Sequence, residues 1–235
     1  MLDAKTCNIC NSSNWGDMGS RKGVRCNSCR SLERTRVMKL FLDKYELPKS
    51  GSKILHFAPE KGFLQFLSSV EGVSYRGVDF APENFNFGNI ERFDLCTDAQ
   101  TLPSDEYDLI VHSHVMEHVP CNITAVLYHL HRALKPGGKH VMCIPFLGES
   151  YEEDLKPLTL QEAKKRFGQD DHVRKFGTSD MDRTIGMIFK IPKNYTLYEY
   201  FSRDELDKHN IPEEQRNGYT LSSVFMLDKD DLLLK

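Results

Sequence analysis

The chain lacks two features that would send it into or across a membrane. It has no uninterrupted run of about 18 apolar residues, so we predict that it does not span a bilayer. Its N-terminal segment, MLDAKTCNIC, has neither the basic start nor the apolar stretch of a secretory signal. Seven cysteines without such a signal favour a reducing, cytoplasmic setting, in which paired cysteines bind a metal more often than they form disulfides.

Glycine is also scarce where a nucleotide-binding chain would concentrate it. Residues 53–63 read KILHFAPEKGF, an apolar strand followed by a turn that contains one glycine, Gly62. This turn is either a cofactor loop with few glycines or a strand that meets an ordinary surface turn. Internal repeats and low-complexity segments are absent as well, which argues against a repeat protein or a disordered chain.

What is present is the composition of an ordinary globular protein with an uneven distribution of charge. Of 235 residues, 40% are hydrophobic and 28% are charged, which suits one α/β core and a small accessory module. Residues 1–50 carry 10 Lys and Arg against 5 Asp and Glu, whereas the remainder carries 21 against 29. A basic head on an acidic body suits an anionic substrate or partner near the head and argues against a dedicated nucleic-acid-binding protein.

Four cysteines near the start are spaced as two CxxC pairs. Cys7 and Cys10 form the first pair, Cys26 and Cys29 the second, and fifteen residues rich in Gly, Ser and Asn separate the pairs. Two such turns facing each other supply a tetrahedral set of four thiolates, which suits zinc and leaves no open position for catalysis. We therefore predict a structural zinc in a zinc-ribbon-like module of residues 1–32. Four free or redox-active thiols are the alternative.

The segment after this module, residues 33–50, has apolar residues at helical spacing with basic residues between them. We predict a connecting helix that packs on the main domain. Its basic residues, such as Arg34, either form a solvated face or bind a phosphate or carboxylate of the substrate. The remaining cysteines stand singly in apolar surroundings and are expected to be buried thiols, namely Cys96, Cys121 and Cys143.

From residue 51 onward, strand-like and helix-like segments alternate. The apolar patterns predict strands at residues 53–57, 75–80, 90–94, 107–112 and 140–145, and helices at residues 62–70 and 119–134. Such alternation predicts a doubly wound, mostly parallel sheet, whose ligands lie beyond the carboxyl ends of the strands. Asp79 and Asp94 come at two of those ends, and an acidic side chain about 20 residues after the first loop can accept hydrogen bonds from ribose hydroxyls.

Three segments then carry a family resemblance. RGVDFAPENF, FDLCTDAQTLPSDEYDLIVHSHVMEHV and HLHRALKPGGKHVMCIPF resemble the class I S-adenosylmethionine-dependent methyltransferases, in particular the type 11-like group with a Glu-His pair after the fourth strand. The similarity covers about residues 50–147. It implies a Rossmann-like methyltransferase domain over residues 51–235, with a substrate-recognising insertion at about residues 148–182. The cysteine pairs and the segment FGQDDHVRKFG resemble a bacterial subgroup of these proteins.

The resemblance implies S-adenosylmethionine as the cofactor. In place of the family's acidic residue and Gly-x-Gly-x-Gly turn, this chain has His56, Ala58, Glu60 and Gly62. We interpret this as a modified cofactor loop in which Glu60 pairs with the methionyl ammonium. The other residues that the resemblance places at the cofactor are Asp79, Phe80, Asp94, Leu95, Ser113 and His114.

The resemblance also implies separate roles within this set. Asp79 would bind the ribose hydroxyls, and Asp94 the adenine amino group with the Leu95 backbone beside it. Ser113 and His114 would line the floor near the sulfonium. A capping or turn carboxylate is the alternative for Asp94.

Methyl transfer from a sulfonium requires an aligned nucleophile, exclusion of water and, for a hydroxyl acceptor, a general base. His172 and His114 are the predicted catalytic residues. Asp171 and Arg174 are the predicted substrate-binding residues, because FGQDDHVRKFG lies where this fold commonly places substrate-recognition elements. A solvated charged loop is the alternative for this segment, and His118 is expected to position the turn after the fourth strand.

These residues predict O-methylation of a small or saccharide-type polar acceptor. One alternative is an RNA methyltransferase, which the basic head favours and the acidic body opposes. Another is a degenerate fold that no longer binds the cofactor and uses its cysteine module for protein contacts. Toward the end of the chain we expect a helix or strand at residues 185–191 and an antiparallel edge hairpin made of residues 195–201 and a last strand from Ser222.

Overall fold

The cysteine pairs lie on either side of a small hairpin in the computed structural model, which describes residues 4–234. Strand β1 (Trp15–Met18) pairs antiparallel with β2 (Arg21–Cys26). Gly19 in the connecting turn has a φ of 59°, a left-handed conformation that glycine adopts without strain. The hairpin therefore brings the second cysteine pair back toward the first.

Helix α1 (Glu33–Lys44) follows the hairpin and is buried on most of its surface. Arg36 is fully buried, and its guanidinium donates to the carbonyl oxygens of Ser31, Val24, His209 and Asn210. The predicted helix is present, but it does not expose a continuous basic face. Arg36 instead satisfies backbone carbonyls of the segments packed around the helix, and Arg34 bonds the side chains of Glu60 and Ser113, because buried charges need partners.

The rest of the chain alternates between strands and helices. The further strands are β3 (Lys53–Phe57), β4 (Ser74–Asp79), β5 (Ile90–Arg92), β6 (Tyr107–Ser113), β7 (Leu134–Ile144), β8 (Glu152–Glu153), β9 (Arg174–Lys175) and β10 (Ser223–Asp228). The further helices are α2 (Lys61–Ser68), α3 (Leu95–Asp98), α4 (Ile123–Arg132), α5 (Leu160–Phe167), α6 (Ile185–Ile188) and α7 (Arg203–Lys208). Short 3₁₀ turns connect several of them.

Six of the strands form one sheet in the order β10-β7-β6-β3-β4-β5. The neighbours from β7 to β5 are all parallel, and β10 is antiparallel to β7 at the edge. One face of the sheet packs against α4 and α6, and the other against α1, α2 and α7. Because helices cover both faces, the predicted doubly wound α/β fold is confirmed.

Helix α4 is shorter than its apolar pattern predicts. Its first residue is Ile123, because the side chain of Asn122 accepts a hydrogen bond from the Thr124 backbone N–H at 2.9 Å and caps the helix there. The helix ends at Arg132, and β7 starts at Leu134, before the predicted residue 140. The Pro-Gly-Gly stretch therefore lies inside an irregular start of the strand.

Two other expectations differ from the structure. Residues 195–201 do not form a strand but a 3₁₀ turn at Leu197–Glu199, so β10 stands without a hairpin partner in that segment. Cys96 and Cys121 are not separate buried thiols, because they form a disulfide. Cys143 is buried in β7 as expected. The loops after β5 and β6 meet at one edge of the sheet, and this tertiary contact pairs cysteines that lie 25 residues apart.

Within residues 4–234, none of the helices combines the length and the apolar character that a membrane crossing would need.

Candidate functional site

A cavity of about 660 Å³ opens at the carboxyl ends of the parallel strands. We call it the strand-end cavity. It is lined by Phe57, Ala58, Val78, Asp79, Phe80, Phe93, Asp94, Leu95, Cys96, His114, Val115, His118, Val119, Pro120 and Asp171. Its volume lies within the range of roughly 300–1,000 Å³ that is common for small-molecule sites. The lining is mostly apolar with a few carboxylates and imidazoles.

Many of the residues predicted at the cofactor meet in this cavity. They are Ala58, Asp79, Phe80, Asp94, Leu95 and His114. Asp171, predicted to bind the substrate, lines the cavity as well. Parallel strands end at the same edge of a sheet, so side chains that are far apart in sequence come together there.

Ala58 follows β3 at the position aligned with the first glycine of the family's turn. Its φ is 46°, a left-handed conformation that costs a residue with a Cβ about 1–2 kcal/mol. The backbone N–H of Ala58 donates to the carbonyl of Val78 at 2.9 Å, which ties the turn to β4. The loop therefore keeps the backbone shape of a glycine turn although it has an alanine there.

The two strand-end carboxylates each use one oxygen to shape the local backbone. Asp79 Oδ1 accepts from the backbone N–H of Ala81 at 2.8 Å. Asp94 Oδ1 accepts from the backbone N–H of Cys96 at 2.9 Å and caps α3. Asp94 is thus a capping carboxylate that also lines the cavity, and each carboxylate has a second oxygen through which it can contact a ligand.

The remaining predicted cofactor residues do not line the strand-end cavity. His56 is buried among aromatic side chains, with its Nδ1 2.9 Å from the Tyr75 hydroxyl. Burial lowers the pKa of His56 to about 3.

Ser113 accepts a hydrogen bond from Nε of Arg34 at 3.1 Å. Glu60 forms an ion pair with the same guanidinium at 2.8 Å and accepts from the Thr35 hydroxyl. Glu60 and Ser113 are therefore held to α1.

Gly62 has a packing role. A Cβ at this position would lie 2.7 Å from Cβ of Cys29 and 2.8 Å from its carbonyl oxygen, closer than real contacts allow. The glycine thus lets the start of α2 pack directly against the second cysteine pair. The cofactor-loop segment and the cysteine module are in contact through this residue.

A second cavity, of about 530 Å³, adjoins the first. We call it the module-side cavity, because Met18 and Arg21 of the hairpin form part of its wall. Its other lining residues are Leu32, Arg34, His114, Glu117, His118, Pro145, Leu147, Phe167, Gly168, Gln169, His172, Arg174, Lys175, Leu221 and Ser222. His114 and His118 line both cavities and mark where they meet.

Glu117 is the most unusual group in the module-side cavity. It is 1% exposed, and neither carboxylate oxygen has a hydrogen-bond partner among the described residues. Burial raises the pKa of Glu117 to about 8. A buried carboxyl group without partners is costly and often marks a functional site.

The two predicted catalytic histidines lie on the wall of this cavity. Nε2 of His114 donates to the carbonyl of Leu221 at 2.7 Å, and burial, with a smaller effect from Arg34, lowers the pKa of His114 to about 3. Nδ1 of His172 donates to the carbonyl of Phe167 at 3.2 Å. Nε2 of His172 has no hydrogen-bond partner in the described structure. Burial lowers the pKa of His172 as well. Both imidazoles are therefore neutral at pH 7.

The two predicted substrate-binding residues have different surroundings. Asp171 is mostly exposed, and its Oδ2 lies 3.2 Å from Nδ1 of His118. Arg174 is fully buried and bonded to Glu153 at 2.8 Å, to the carbonyl of Cys121 at 2.8 Å and to the carbonyl of Met116. These bonds use the guanidinium to hold the loop after β6, so its placement favours a structural contribution over the predicted anion clamp.

The four sulfur atoms of the cysteine module lie within 4.8 Å of one another. The Cys7 and Cys29 sulfurs are 3.6 Å apart, and those of Cys10 and Cys26 are 3.5 Å apart. Thiolates at about 2.3 Å from a zinc ion in tetrahedral geometry have similar separations. The donor set and its spacing therefore fit a zinc ion.

Glu117, Met18 and Arg21 are among the lining residues of the module-side cavity that sequence reasoning missed. Glu117 lay within a quoted motif, and a carboxyl group directly after a buried strand was a usable signal. The hairpin residues gave no such signal, because only the packing of the module on the main sheet places them at the cavity.

Comparison with family models gives a match over most of the chain. A family model described as "Methyltransferase domain" matches residues 17–208. No curated protein matches the chain. The matched residues cover the five parallel strands of the main sheet, β3 to β7, and the second cysteine pair.

Several solved structures are similar at low identity. The YcgJ protein from Bacillus subtilis is 18% identical over 74% of this chain and 78% of that chain, with a TM-score of 0.42. Coclaurine N-methyltransferase bound to N-methylheliamine and SAH is 12% identical over 91% and 63%, with a TM-score of 0.47. CurJ carbon methyltransferase is 23% identical over 51% and 34%, with a TM-score of 0.36.

The chain spans 47% and 34% of two of the matched structures, less than two thirds of their length. Since these TM-scores are below 0.5, none of these structures assigns a role to a residue of this chain.

Proposed function

Because the chain belongs to the methyltransferase-domain family, we propose that it transfers a methyl group from S-adenosylmethionine to a small polar acceptor. In this proposal the strand-end cavity holds the cofactor and the module-side cavity holds the acceptor. The observation that carries it is the junction of the two cavities at His114 and His118. Methyl transfer requires donor and acceptor to meet in line, and two adjoining cavities provide such a path.

The strand-end cavity supports the cofactor assignment through its polar groups. Asp79 has one oxygen left to accept from ribose hydroxyls, and Asp94 one to accept from the adenine amino group. Phe80 is 59% exposed at the cavity and offers an aromatic face to the bound nucleoside. Ala58, with its small side chain, lets the loop backbone approach the methionyl part.

The module-side cavity supports a hydroxyl-bearing acceptor. Glu117 and Nε2 of His172 are hydrogen-bond acceptors without partners in the described structure. Hydroxyl groups are donors that satisfy such atoms, and a saccharide-type molecule carries several of them. We therefore propose O-methylation.

The bound cofactor supplies an activated methyl group on sulfur. In the proposed step, the acceptor oxygen bonds to the methyl carbon as the carbon–sulfur bond breaks, which gives S-adenosylhomocysteine. His172 takes the hydroxyl proton on its bare Nε2, and the low pKa of its imidazole keeps that nitrogen unprotonated beforehand. His114 has its Nε2 proton committed to Leu221 and forms the wall between the cavities.

We further propose that Cys7, Cys10, Cys26 and Cys29 hold a structural zinc ion. Its folding energy would position Met18 and Arg21 at the acceptor cavity, since the hairpin is too small to fold on apolar contacts alone. The module of residues 1–32, the connecting helix and the insertion at about residues 148–182 then each contribute to the acceptor site. A cavity of about 530 Å³ suits a small acceptor better than an RNA strand.

The test is binding of S-adenosylhomocysteine by isothermal titration calorimetry to zinc-loaded protein. We expect binding by the natural chain and a loss of about 10- to 100-fold in affinity for Asp79→Asn, since a hydrogen bond to a charged group contributes about 1.5–3 kcal/mol. Asparagine retains the oxygen that accepts from Ala81, so the turn is preserved.

Asp105→Asn is the matched control, because Asp105 is an exposed turn carboxylate that lines neither cavity. Its affinity should equal that of the natural chain. If the natural chain failed to bind at millimolar concentration, the proposal would be wrong and the degenerate fold without cofactor would be favoured.

A further inference from the structure

We infer that Glu117, His118 and His172 form a second metal site, which binds a first-row divalent transition-metal ion between the two cavities. One ligand atom from each residue lies within 4.8 Å of the others. All three side chains line the module-side cavity, and His118 also lines the strand-end cavity. The site is separate from the four cysteines and has a different donor set.

The first observation is the unsatisfied carboxylate of Glu117. Both of its oxygens are buried and lack hydrogen-bond partners among the described residues. Nδ1 of His114 lies 3.4 Å from Oε1, but it carries no proton if Nε2 donates to Leu221. A bare nitrogen and an ionised carboxylate repel at this distance. Either a cation or a proton on Glu117 must therefore compensate the carboxylate.

The second observation is the orientation of His172. A carbonyl oxygen can only accept, so the contact of Nδ1 with Phe167 places the ring proton on Nδ1. Nε2 then has a free lone pair, and it is buried without a partner in the described structure. Metal-binding histidines are held in this way, with one nitrogen donating to a carbonyl or carboxylate and the other on the metal.

His118 has a similar outer partner. Its Nδ1 lies 3.2 Å from Oδ2 of Asp171, which leaves Nε2 as the ligand atom. The ring of His118 packs edge-on against that of His172, with centroids 4.5 Å apart. A carboxylate behind a histidine fixes the ring and raises its basicity toward a metal.

The positive charges on the cavity wall do not exclude a cation. Arg34 is paired with Glu60, and Arg174 is paired with Glu153. Arg21 forms an ion pair with Glu33. Each guanidinium is therefore compensated by its own carboxylate, and none of these three arginines forms an ion pair with Glu117.

Two imidazoles and one carboxylate suit Mn²⁺, Fe²⁺, Co²⁺ or Zn²⁺ better than Ca²⁺ or Mg²⁺, which prefer oxygen ligands. Three protein ligands leave further positions open toward the module-side cavity. The role of the ion there rests on the proposed function and replaces the part given to His172: with Nε2 of His172 on the ion, the ion would bind the acceptor hydroxyl, lower its pKa so that its proton passes to solvent, and orient it toward the methyl group. Binding of the ion itself does not depend on that function.

The experiment titrates MnCl₂ into protein that carries one zinc ion per chain, which the four thiolates hold, and follows free Mn²⁺ by electron paramagnetic resonance. Mn²⁺ is the probe because a four-thiolate site disfavours it. We expect one Mn²⁺ per chain in addition to zinc. Glu117→Gln and His172→Gln should each weaken binding at least about 10-fold, as should Asp171→Asn through its support of His118.

Glu149→Gln, at an exposed carboxylate of the insertion, is the matched control and should bind like the natural chain. Near-UV circular dichroism checks that each variant is folded. If the variants at the buried Glu117 and His172 do not fold, Asp171→Asn still tests the site, because Asp171 is exposed. The inference is overturned if the natural chain binds no Mn²⁺, or if the folded variants bind it with unchanged affinity. S-Adenosylhomocysteine binding in the same samples separates the outcomes: intact cofactor binding without Mn²⁺ refutes the metal site alone.

Discussion

The strand-end cavity and the module-side cavity share a wall but are built in different ways. The strand-end cavity is formed by residues from Phe57 onward, most of them at the tips of parallel strands or in the loops that follow. Its carboxylates, Asp79 and Asp94, each accept a backbone N–H and are anchored by their own turns. The module-side cavity draws its wall from five separate stretches of the chain, residues 18–34, 114–118, 145–147, 167–175 and 221–222.

The polar groups of the two cavities differ accordingly. In the strand-end cavity, local hydrogen bonds satisfy part of each carboxylate. In the module-side cavity, Glu117 and Nε2 of His172 are buried without partners in the described residues, and ion pairs across segments hold the arginines. Local hydrogen bonds thus anchor Asp79 and Asp94 in the strand-end cavity, whereas the module-side cavity depends on ion pairs between distant segments and leaves groups for a ligand.

The largest expected effect comes from removing the metal of the cysteine module. This change should affect the module-side cavity and leave the strand-end cavity nearly unchanged. Cys26→Ser should abolish zinc binding and disorder the hairpin, because structural zinc contributes on the order of 10 kcal/mol to the folding of small modules. Binding of S-adenosylhomocysteine should change less than about 10-fold, or about 1.4 kcal/mol, because no residue of the cysteine module lines the strand-end cavity. Zinc content, thermal unfolding and calorimetry measure these outcomes.

Cys143→Ala is the control for loss of a cysteine. Cys143 is fully buried in β7 and lies outside the cluster of four sulfur atoms, so its replacement should retain zinc. A Cys26→Ser protein with unchanged zinc content and melting temperature would show that the four cysteines are not a structural site.

The next effect concerns the guanidinium of Arg174. Because it is buried and bonded to Glu153 and to two carbonyls of the loop after β6, Arg174→Met should lower the free energy of unfolding by about 3 kcal/mol. Urea denaturation measures the change. Arg166→Met is the control, since Arg166 pairs with Glu152 and Asp154 at a partly exposed position and should cost less than about 1 kcal/mol. Unchanged stability of Arg174→Met would instead restore the predicted role in binding the acceptor.

Glu117 should make the stability of the chain depend on pH. Its pKa is raised to about 8 in the folded chain by burial, so the folded state retains a proton that the unfolded state loses above its ordinary pKa of 4.5. The contribution of Glu117 is fully present below that value and is lost as the pH rises toward 8. The natural chain should therefore lose stability relative to Glu117→Gln, by up to about 1.4 kcal/mol per pH unit.

Melting temperatures of zinc-loaded protein at pH 5 to 8 test this prediction, with no other divalent metal added. The buried histidines contribute equally to both proteins, so the difference between them reports on Glu117. Glu149→Gln should follow the natural chain at every pH, because Glu149 is exposed. A constant difference across this range would mean that Glu117 is ionised throughout.

The smallest effect is at the turn of the strand-end cavity. Ala58→Gly should stabilise the chain by about 0.5 kcal/mol, since relief of the left-handed strain exceeds the added freedom of the unfolded chain. Ala81→Gly, at a φ of −126°, should destabilise the chain by a similar amount, because that conformation carries no such strain. Thermal denaturation measures both changes in stability. If the two variants changed the stability in the same direction, the result would argue against a glycine-like turn at Ala58.

Sequence patterns predicted the centre of the sheet best, because β3 and β6 are largely buried and mostly apolar. Residues 53–57 and 107–112 were placed almost as β3 and β6 have them. The pattern failed at residues 195–201, where Tyr195, Leu197 and Phe201 are buried from a 3₁₀ turn and not from a strand. Alternate burial is compatible with either backbone, and only the neighbouring segments select one.

The same limit applied to the candidate site. Asp79 and Asp94 could be placed from the sequence, since a residue at the end of a parallel strand has a fixed location in the fold. Glu60 and Arg174 could not, because their partners are Arg34 and the loop after β6, far away in the chain. A charged side chain gives no indication in sequence of whether its partner is a ligand or another segment.

The amino-acid sequence by itself determined the alternation of strands and helices, the spacing of the four cysteines and the carboxylates at the strand ends, because these depend on local periodicity and on chain order. Tertiary structure decided that Gly62 packs on Cys29, that the hairpin closes the module-side cavity and that Glu117 is buried without a partner. The physical reason is that burial and charge compensation depend on which distant segments meet, and no local pattern encodes that contact.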